Sequence, residues 1–543
     1  MRLFFWVAGI SLAALGAWAS RNYSTFDTVP YADMARSVAT GHWSGLVNGL
    51  WSPGYPFLIG LVLRLLDPSA YWLYGSIHFL NFLIFVAALG AFDFLWRELG
   101  RRRDGDTLPE WAWNLLGYSL FLWAALNAIG VWLITPDLLF CAFLLLSIGL
   151  LLRARRTGSG AWFAALGAAL GFGYLAKAPM FPIALLILVV APVRPRATGR
   201  LPAKLALAGA IFVAIVVPWV AALHARYDRW TFGQSAALNY AWHVTGVPHF
   251  IHWQGGPAGS GAPIHTTPMI FDHPEAFADA GPMAGTFPPG DDETYWYEGV
   301  RTHFNLSRQL QVLRASLEAY AKMFFRPLAA LSAGFLVLAF LAARENALRL
   351  VFTTAWPVWV VGAAGLAMFG LVSVDFRYVA GFLLLFWAGL FAGLRVRRSR
   401  WAALTVTLAA ALSLGALVAR AAVRDFRGRF PGSNHPQWQV VEGLKEFGLG
   451  PGDRVALLGQ EIFWAPMSGM EIVADIPEDQ VPYFWQLDGT RREVLLERLA
   501  ATGARAIVAG PEALAGEATA PPEDKKGWIP LGKTGYQILQ LRN

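Results

Sequence analysis

Long apolar runs separated by short basic clusters make up most of this 543-residue chain. Only 15% of the residues are charged and 56% are hydrophobic, whereas a soluble domain carries about 25% charged residues. Runs of ~20 apolar residues are long enough to cross the hydrocarbon core of a bilayer as helices. The pattern therefore predicts a protein with many membrane spans, and the net charge of +8 requires no nucleic-acid partner.

The first 420 residues divide into about eleven predicted transmembrane helices. Arginine clusters follow alternate runs, and the positive-inside rule places these clusters in the cytoplasm. The first loop (residues 21–56) and a long polar insert (residues 226–325) then lie outside, and residues 57–66 form an interfacial helix. The predicted spans are residues 3–18, 71–96, 111–130, 136–152, 161–176, 180–193, 205–223, 327–343, 350–372, 379–394 and 401–418.

The first apolar run has two interpretations. Arg2, the run itself and Ala17-Trp18-Ala19 resemble a secretory signal with a cleavage site. The same residues also fit an uncleaved first span, which the many later spans favour. Both interpretations place the chain from Arg21 onward outside. Cys141 is the single cysteine, so no intramolecular disulfide can form.

The tail, residues 429–543, has the composition of a soluble domain. Predicted strands alternate with predicted helices there, which is typical of a small α/β domain. The predicted fold class is therefore an all-α polytopic membrane protein, residues 1–420, with a C-terminal extracytoplasmic α/β domain. The predicted tail elements are strands at 454–458, 471–474, 506–509 and 536–541 and helices at 440–447 and 491–501.

Two carboxylates follow the first span. Asp27 lies where the membrane meets water, and a carboxylate there can act as a general base on an acceptor hydroxyl or amine. Asp33 follows within a predicted helix, residues 31–38. The alternative is that Asp27 caps this helix and Asp33 is solvated.

Five short motifs follow one another along the chain, each on the predicted external side. They resemble those of the C superfamily of lipid-linked glycosyltransferases (the GT-C fold), in particular those of bacterial aminoarabinose transferases and protein O-mannosyltransferases. Thr28 stands where both relatives have Glu, and Trp51-Ser52 stands where the aminoarabinose enzymes often have Lys. The motifs are Asp27–Ala35, Trp51–Pro56, Thr135–Asp137, Leu175–Pro179 and Arg377–Tyr378.

The resemblance implies transfer of a sugar from a polyprenyl-phosphate donor to a lipid, glycan or protein acceptor. It also implies that Asp27 is the base and that transfer occurs on the outer face of the inner (plasma) membrane. A leaving phosphate needs nearby positive charge, so Lys177 and Arg377, with Tyr378, are predicted to hold it. The alternative is that both cations are ordinary interfacial anchors. The further candidates for substrate binding are Asp33, Tyr55 and Asp137.

The histidines and acidic residues of the polar insert allow a divalent metal as a cofactor. These imidazoles and acidic residues follow no compact ligand spacing, so no metal ligand is predicted. The residues 285–290 instead favour a rigid loop over the cavity, with aromatic side chains that stack on sugar or lipid. The insert contains His243, His249, His252, His265, His273, His303, Asp291, Asp292 and Glu293.

A different class of protein, a transporter or flippase of lipid-linked saccharides, would also have many spans. Such proteins have broken or charged spans near the bilayer midplane, in paired halves. Here the ionisable residues cluster at external ends and no halves repeat. A non-catalytic scaffold built around the tail is a third interpretation.

Overall fold

The computed structural model describes residues 1–101, 108–192, 200–249, 252–279, 281, 284–344, 348–353, 355–394, 396, 400–428, 437–515 and 527–541. The chain divides into two units. Unit 1 comprises residues 1–20, 78–246 and 303–431, and unit 2 comprises residues 21–77, 247–302 and 432–543. The predicted domains, residues 1–420 and 429–543, stay a prediction.

Among the described residues, seven helices are long and apolar enough to cross a membrane. This confirms a multi-pass architecture, because each apolar run forms a helix that satisfies its own backbone hydrogen bonds. The seven are Arg2–Ala19, Ala70–Gly100, Glu110–Ile129, Asp137–Thr157, Leu201–Tyr227, Phe376–Gly393 and Arg400–Phe426.

The predicted number of eleven spans is not confirmed. Helices Gly160–Ala176, Met180–Val190 and Trp356–Gly370 are apolar but shorter than a full span. Helices Leu306–Phe325 and Ala329–Arg344 meet at 81°, and the pair would be the eighth span if it crosses as one. Many arginines of the predicted cytoplasmic loops lie outside the described residues: Arg102, Arg103, Arg194, Arg196, Arg395, Arg397 and Arg398.

Glycines let the helices of unit 1 pack closely. A Cβ atom at Gly362 or Gly389 would meet backbone nitrogen of the facing helix at 2.5 Å, so helices 356–370 and 376–393 approach to backbone contact. Gly167 has the same role against Ala208 of helix 201–227. The remaining helical segments of unit 1 are Ser235–Tyr240, the 3₁₀ turn Leu348–Phe352 and the π turns Trp123–Ile129 and Ala241–Thr245.

Helix Asp137–Thr157 carries charged clusters at both ends. Near its C-terminus, Arg153 and Arg156 bind the buried carboxylate of Glu98 at 2.7 and 3.0 Å. Asp137 stands at its N-terminus. A helix of this length is about 30 Å long, which matches the hydrocarbon thickness of a bilayer. The two clusters therefore lie at opposite ends of one membrane-length helix.

Unit 2 contains a mixed sheet of seven strands within the described part of the chain. The strands are β1 (Met269–Asp272), β2 (Glu275–Ala278), β3 (Arg454–Leu458), β4 (Glu471–Ile476), β5 (Ala506–Ala509), β6 (Trp528–Pro530) and β7 (Gln537–Gln540). Their order is β1-β2-β4-β3-β5-β7-β6; β4, β3 and β5 are parallel and the outer pairs are antiparallel. The predicted C-terminal sheet is confirmed, and the insert adds a β-hairpin that the sequence pattern did not predict.

Helices of unit 2 lie in all three of its sequence segments. Gly54–Leu66 is the short apolar helix predicted as interfacial, and Thr28–Ala39 covers the helix predicted at residues 31–38. The others are Gln437–Glu446, Gly489–Ala501 and short turns at Trp43–Leu46, Pro288–Asp291, Glu293–Trp296, Ala465–Ser468, Glu478–Gln480, Val481–Trp485 and Pro511–Ala515.

Candidate active site

Three helix ends in unit 1 bring charged side chains together. Asp137 begins helix 137–157 after Pro136, and Lys177 follows the last residue of helix 160–176. Arg377 and Tyr378 lie in the first turn of helix Phe376–Gly393, where the Asp375 carboxylate accepts the Arg377 backbone N–H at 2.9 Å. Each side chain therefore stands where an apolar helix ends.

Asp137 is the centre of this group, which we call the cation cluster: Asp137, Lys177, Arg377 and Tyr378. The Lys177 Nζ donates to Asp137 Oδ1, and Arg377 Nε lies 3.9 Å from Asp137 Oδ2. The Arg377 guanidinium also donates to the Tyr378 hydroxyl at 3.0 Å. Asp137 is 2% exposed, whereas the two cations are each 20% exposed, so they remain within reach of a ligand.

Tyr378 fixes both cations through its ring. The Lys177 ammonium lies 4.1 Å and the Arg377 guanidinium 4.9 Å from the ring centroid, within cation–π range. The ring in turn stacks on Phe369 at 5.6 Å. The four residues of the cluster carry one net positive charge, with the Asp375 carboxylate at the Arg377 backbone beside them, and the two partly exposed cations suit an anion. Its role in substrate binding stays a prediction.

Asp27 occupies the position before helix Thr28–Ala39 in unit 2. Its side chain makes no capping hydrogen bond to the helix, so the helix-cap alternative receives no support. The Thr28 hydroxyl instead accepts the backbone N–H of Thr25 at 2.9 Å. Asp27 is partly exposed. It belongs to a different unit from the cation cluster, and its role as a base stays a prediction.

Asp33 is buried, so the alternative of a solvated Asp33 is wrong. Its carboxylate accepts the backbone N–H of Thr286 at 2.8 Å and the Thr286 hydroxyl at 2.9 Å. Burial raises the pKa of Asp33 to about 6, against the opposing effects of Thr286 and Arg36. The sequence pattern did not indicate Thr286 as a partner, because it lies in the insert, 253 residues away.

The first loop is held at further points of unit 2. The Asn48 amide donates to the backbone carbonyl of Asp291 at 2.6 Å, and its oxygen accepts the backbone N–H of Leu50 at 2.9 Å. The Arg36 guanidinium donates to the carbonyl of Pro466 in the tail. Insert and tail therefore both fix the loop that carries Asp27.

Tyr55 is fully buried. Its ring packs edge-on against Tyr31 at 5.3 Å, and Tyr31 packs against Trp51 at 5.0 Å. This arrangement favours a role in shaping the first loop; direct contact of Tyr55 with a substrate stays a prediction.

We expect Asp33 to make folding depend on pH. A carboxyl group whose pKa is raised in the folded state keeps its proton to a higher pH there than in the unfolded chain. The contribution of Asp33 to the free energy of unfolding is therefore greatest below pH 4 and is lost as the pH rises through about 6. The difference from the ordinary value corresponds to roughly 3 kcal/mol. Asp33→Asn should remove this contribution, so the thermal midpoint of wild type should fall relative to the variant between pH 4 and 7. Parallel curves would contradict the expectation.

Gly285 lets Thr286 reach Asp33. Its φ is +104°, and a Cβ there would meet Asp33 Oδ2 at 2.9 Å. Gly285→Ala should therefore destabilise unit 2 by about 1–3 kcal/mol, measured by thermal unfolding in detergent. Gly448→Ala is the matched control, because its φ is also positive, at +72°, but the space around it is open. Equal losses in both variants would show that the contact with Asp33 has no effect.

The histidines of the insert have different partners in the structure. The His249 imidazole lies 3.4 Å from Glu293, which raises the pKa of His249 through a hydrogen bond, and His265 pairs with Glu298 at 2.6 Å. His252 instead lies with Asp279 and Asp475, two residues that the sequence pattern did not single out.

Part of unit 1 is similar in sequence to a known protein family. Residues 115–221 match the family model described as dolichyl-phosphate-mannose-protein mannosyltransferase. The resemblance to lipid-linked glycosyltransferases is confirmed for this segment. The segment includes Asp137 and Lys177. No curated protein matches the chain in sequence.

The solved structures that match the chain are distant in sequence. The apo oligosaccharyltransferase of Archaeoglobus fulgidus is 12% identical, with a TM-score of 0.47 over 97% of this chain and 72% of that one. Apo ArnT of Cupriavidus metallidurans is 15% identical, with a TM-score of 0.41 over 100% and 99% of the two chains. The same protein bound to undecaprenyl phosphate is 15% identical, with a TM-score of 0.42 over 99% and 98%.

Proposed function

We propose that this protein is a membrane glycosyltransferase of the GT-C fold that takes its sugar from a polyprenyl-phosphate carrier. The observation that carries the proposal is the cation cluster, in which Lys177 and Arg377 flank Asp137 at the ends of apolar helices. The family model that matches residues 115–221 supports it, since its description names a dolichyl-phosphate-linked sugar.

The charge of the cluster suits this donor. A sugar linked to polyprenyl phosphate is a phosphodiester with one negative charge, and the released phosphate monoester carries up to two. Cations held in place before the reaction stabilise the charge that develops as the bond breaks. Asp137 and Tyr378 orient Lys177 and Arg377, so little reorganisation is needed.

In the proposed step, an acceptor oxygen attacks the anomeric carbon of the donor sugar. The bond from that carbon to the phosphate oxygen breaks, and its electron pair leaves with the polyprenyl phosphate. The Asp27 carboxylate takes the proton of the acceptor. Asp33 and Tyr55 position the first loop, and the carrier phosphate rests on Lys177 and Arg377.

The reaction takes place on the extracytoplasmic face of the inner membrane, where the polar loops of the predicted topology lie. The acceptor is a lipid, a glycan or a protein. The carrier tail lies among membrane lipids, which places its phosphate at the level of the helix ends.

The test uses the full chain purified in detergent, with a panel of radiolabelled polyprenyl-phosphate hexoses and pentoses and a membrane extract as acceptor. We expect transfer from one donor, with release of polyprenyl phosphate. A parallel reconstitution in liposomes measures whether labelled donor crosses the bilayer. Movement of the donor without transfer from any member of the panel would overturn the proposal in favour of a flippase.

A further inference from the structure

Three buried polar side chains lie together in unit 2. His252, Asp279 and Asp475 are 5%, 0% and 4% exposed. One imidazole nitrogen and one oxygen of each carboxylate lie within 4.8 Å of one another. The proposed transfer step uses none of these residues.

The register of the sheet explains why the two carboxylates meet. Strand β2 pairs with β4 so that Phe277 lies opposite Asp475, and the Asp279 backbone N–H donates to Val473 at 2.8 Å. Because side chains alternate along a strand, Asp279 and Asp475 lie on the same face. Ala474 alternates to the other face, and the hydrophobic core of the unit includes both Ala474 and its neighbour Val473.

Packing fixes the imidazole beside them. The His252 ring stacks on Phe277 with 4.1 Å between centroids and 8° between planes. Its Nε2 lies 3.2 Å from Asp475 Oδ2. One ring nitrogen of His252 therefore faces the carboxylates, and His252 belongs to neither of the two strand segments that carry them.

Within the described part of the chain, the two carboxylates are only partly compensated, by the His252 imidazole beside Asp475. Among the residues that the structure describes, neither oxygen of Asp279 nor the Oδ1 of Asp475 has a hydrogen-bond donor when both groups are ionised. Burying a carboxylate without a partner costs several kcal/mol. A bound cation would remove this cost and attract all three side chains at once.

We propose that His252, Asp279 and Asp475 bind a divalent transition metal, zinc in the first place. An imidazole nitrogen with two carboxylate oxygens suits Zn²⁺, whereas Mg²⁺ and Ca²⁺ take oxygen ligands throughout. Two carboxylates neutralise the charge of the ion, and water supplies the fourth ligand. The ion joins the insert to strand β4 of the tail, so its binding stabilises the contact between these two segments. The competing arrangement is a proton shared between the two carboxyl groups.

Metal content of tag-free full-length protein tests the proposal. After incubation with zinc and desalting, we expect elemental mass spectrometry to find about one zinc per chain in wild type. The zinc content of Asp279→Asn and of His252→Ala should be below about a tenth of that value. His265→Ala is the matched control, since this imidazole pairs with Glu298 outside the cluster, and it should retain the metal.

The thermal stability of wild type gives a second readout, which depends neither on transferase activity nor on folding of the variants. A chelator should lower the thermal midpoint of wild type, and zinc but not magnesium should restore it. Wild type without zinc, or variants with as much zinc as wild type, would overturn the proposal. A metal-free wild type together with an Asp279→Asn variant of equal or higher stability would show the shared proton instead.

Discussion

Arg377→Ala is expected to lower the rate of sugar transfer by about 10²–10³, or ~2.7–4 kcal/mol of transition-state stabilisation. The guanidinium is held by the Tyr378 hydroxyl at 3.0 Å and faces Asp137, so its charge is already placed where the phosphate is expected to leave. Removing it leaves Lys177 alone against the Asp137 carboxylate, and the net positive charge of the cluster is lost. Initial rates and donor binding with the labelled donor measure the effect.

Two further variants sharpen this result. Arg377→Lys keeps the charge but loses the planar, multiple-donor group, so it should retain only part of the activity. Arg314→Ala removes an arginine that is 84% exposed and paired with Glu318, and it should behave as wild type. Activity of Arg377→Ala within threefold of wild type, in protein that inserts normally, would remove the cation cluster from the mechanism.

Asp27→Asn is expected to lower the turnover rate by about 10²–10⁴, the usual contribution of a general base. Asn is isosteric with Asp but cannot take the acceptor proton. The variant loses no helix-capping bond, since the Asp27 side chain makes none. Donor affinity should be unchanged, which separates this variant from Arg377→Ala, where binding weakens as well. Single-turnover transfer and donor binding distinguish the two.

The control for Asp27→Asn is Asp67→Asn, which changes an exposed carboxylate at the end of helix Gly54–Leu66. Its φ is +41°, and Asn adopts such a conformation readily. This variant should transfer at the wild-type rate. A turnover of Asp27→Asn equal to that of Asp67→Asn would assign the base to another residue.

Hydropathy predicted the helices well because it is a local property. The run at residues 205–223 lies inside helix Leu201–Tyr227, and the short apolar runs at 454–458 and 506–509 coincide with β3 and β5. The number of spans was harder to predict, because helices such as Met180–Val190 are apolar yet too short to cross alone.

The site could be predicted only in part, because its geometry depends on contacts between segments that are distant in sequence. Motif order indicated Asp137, Lys177 and Arg377, but only the fold shows that the carboxylate lies between the two cations. The burial of Asp33 depends on Thr286, and the hairpin β1–β2 depends on pairing with β4. Strands of only four residues gain their stability from the partner strand, so their own sequence carries little signal.

Unit 2 is assembled from three stretches of chain that membrane-spanning helices separate. During synthesis, the first loop emerges long before Thr286 and Pro466, which hold it. Strand β5 lacks its β7 neighbour until residues 537–540 are made. Because non-local pairing must wait for its partners, unit 2 should mature late, after the last helix is inserted. A ribosome stalled before residue 286 would therefore hold a membrane-integrated chain whose first loop remains open to protease, because Thr286 and Pro466 are not yet made.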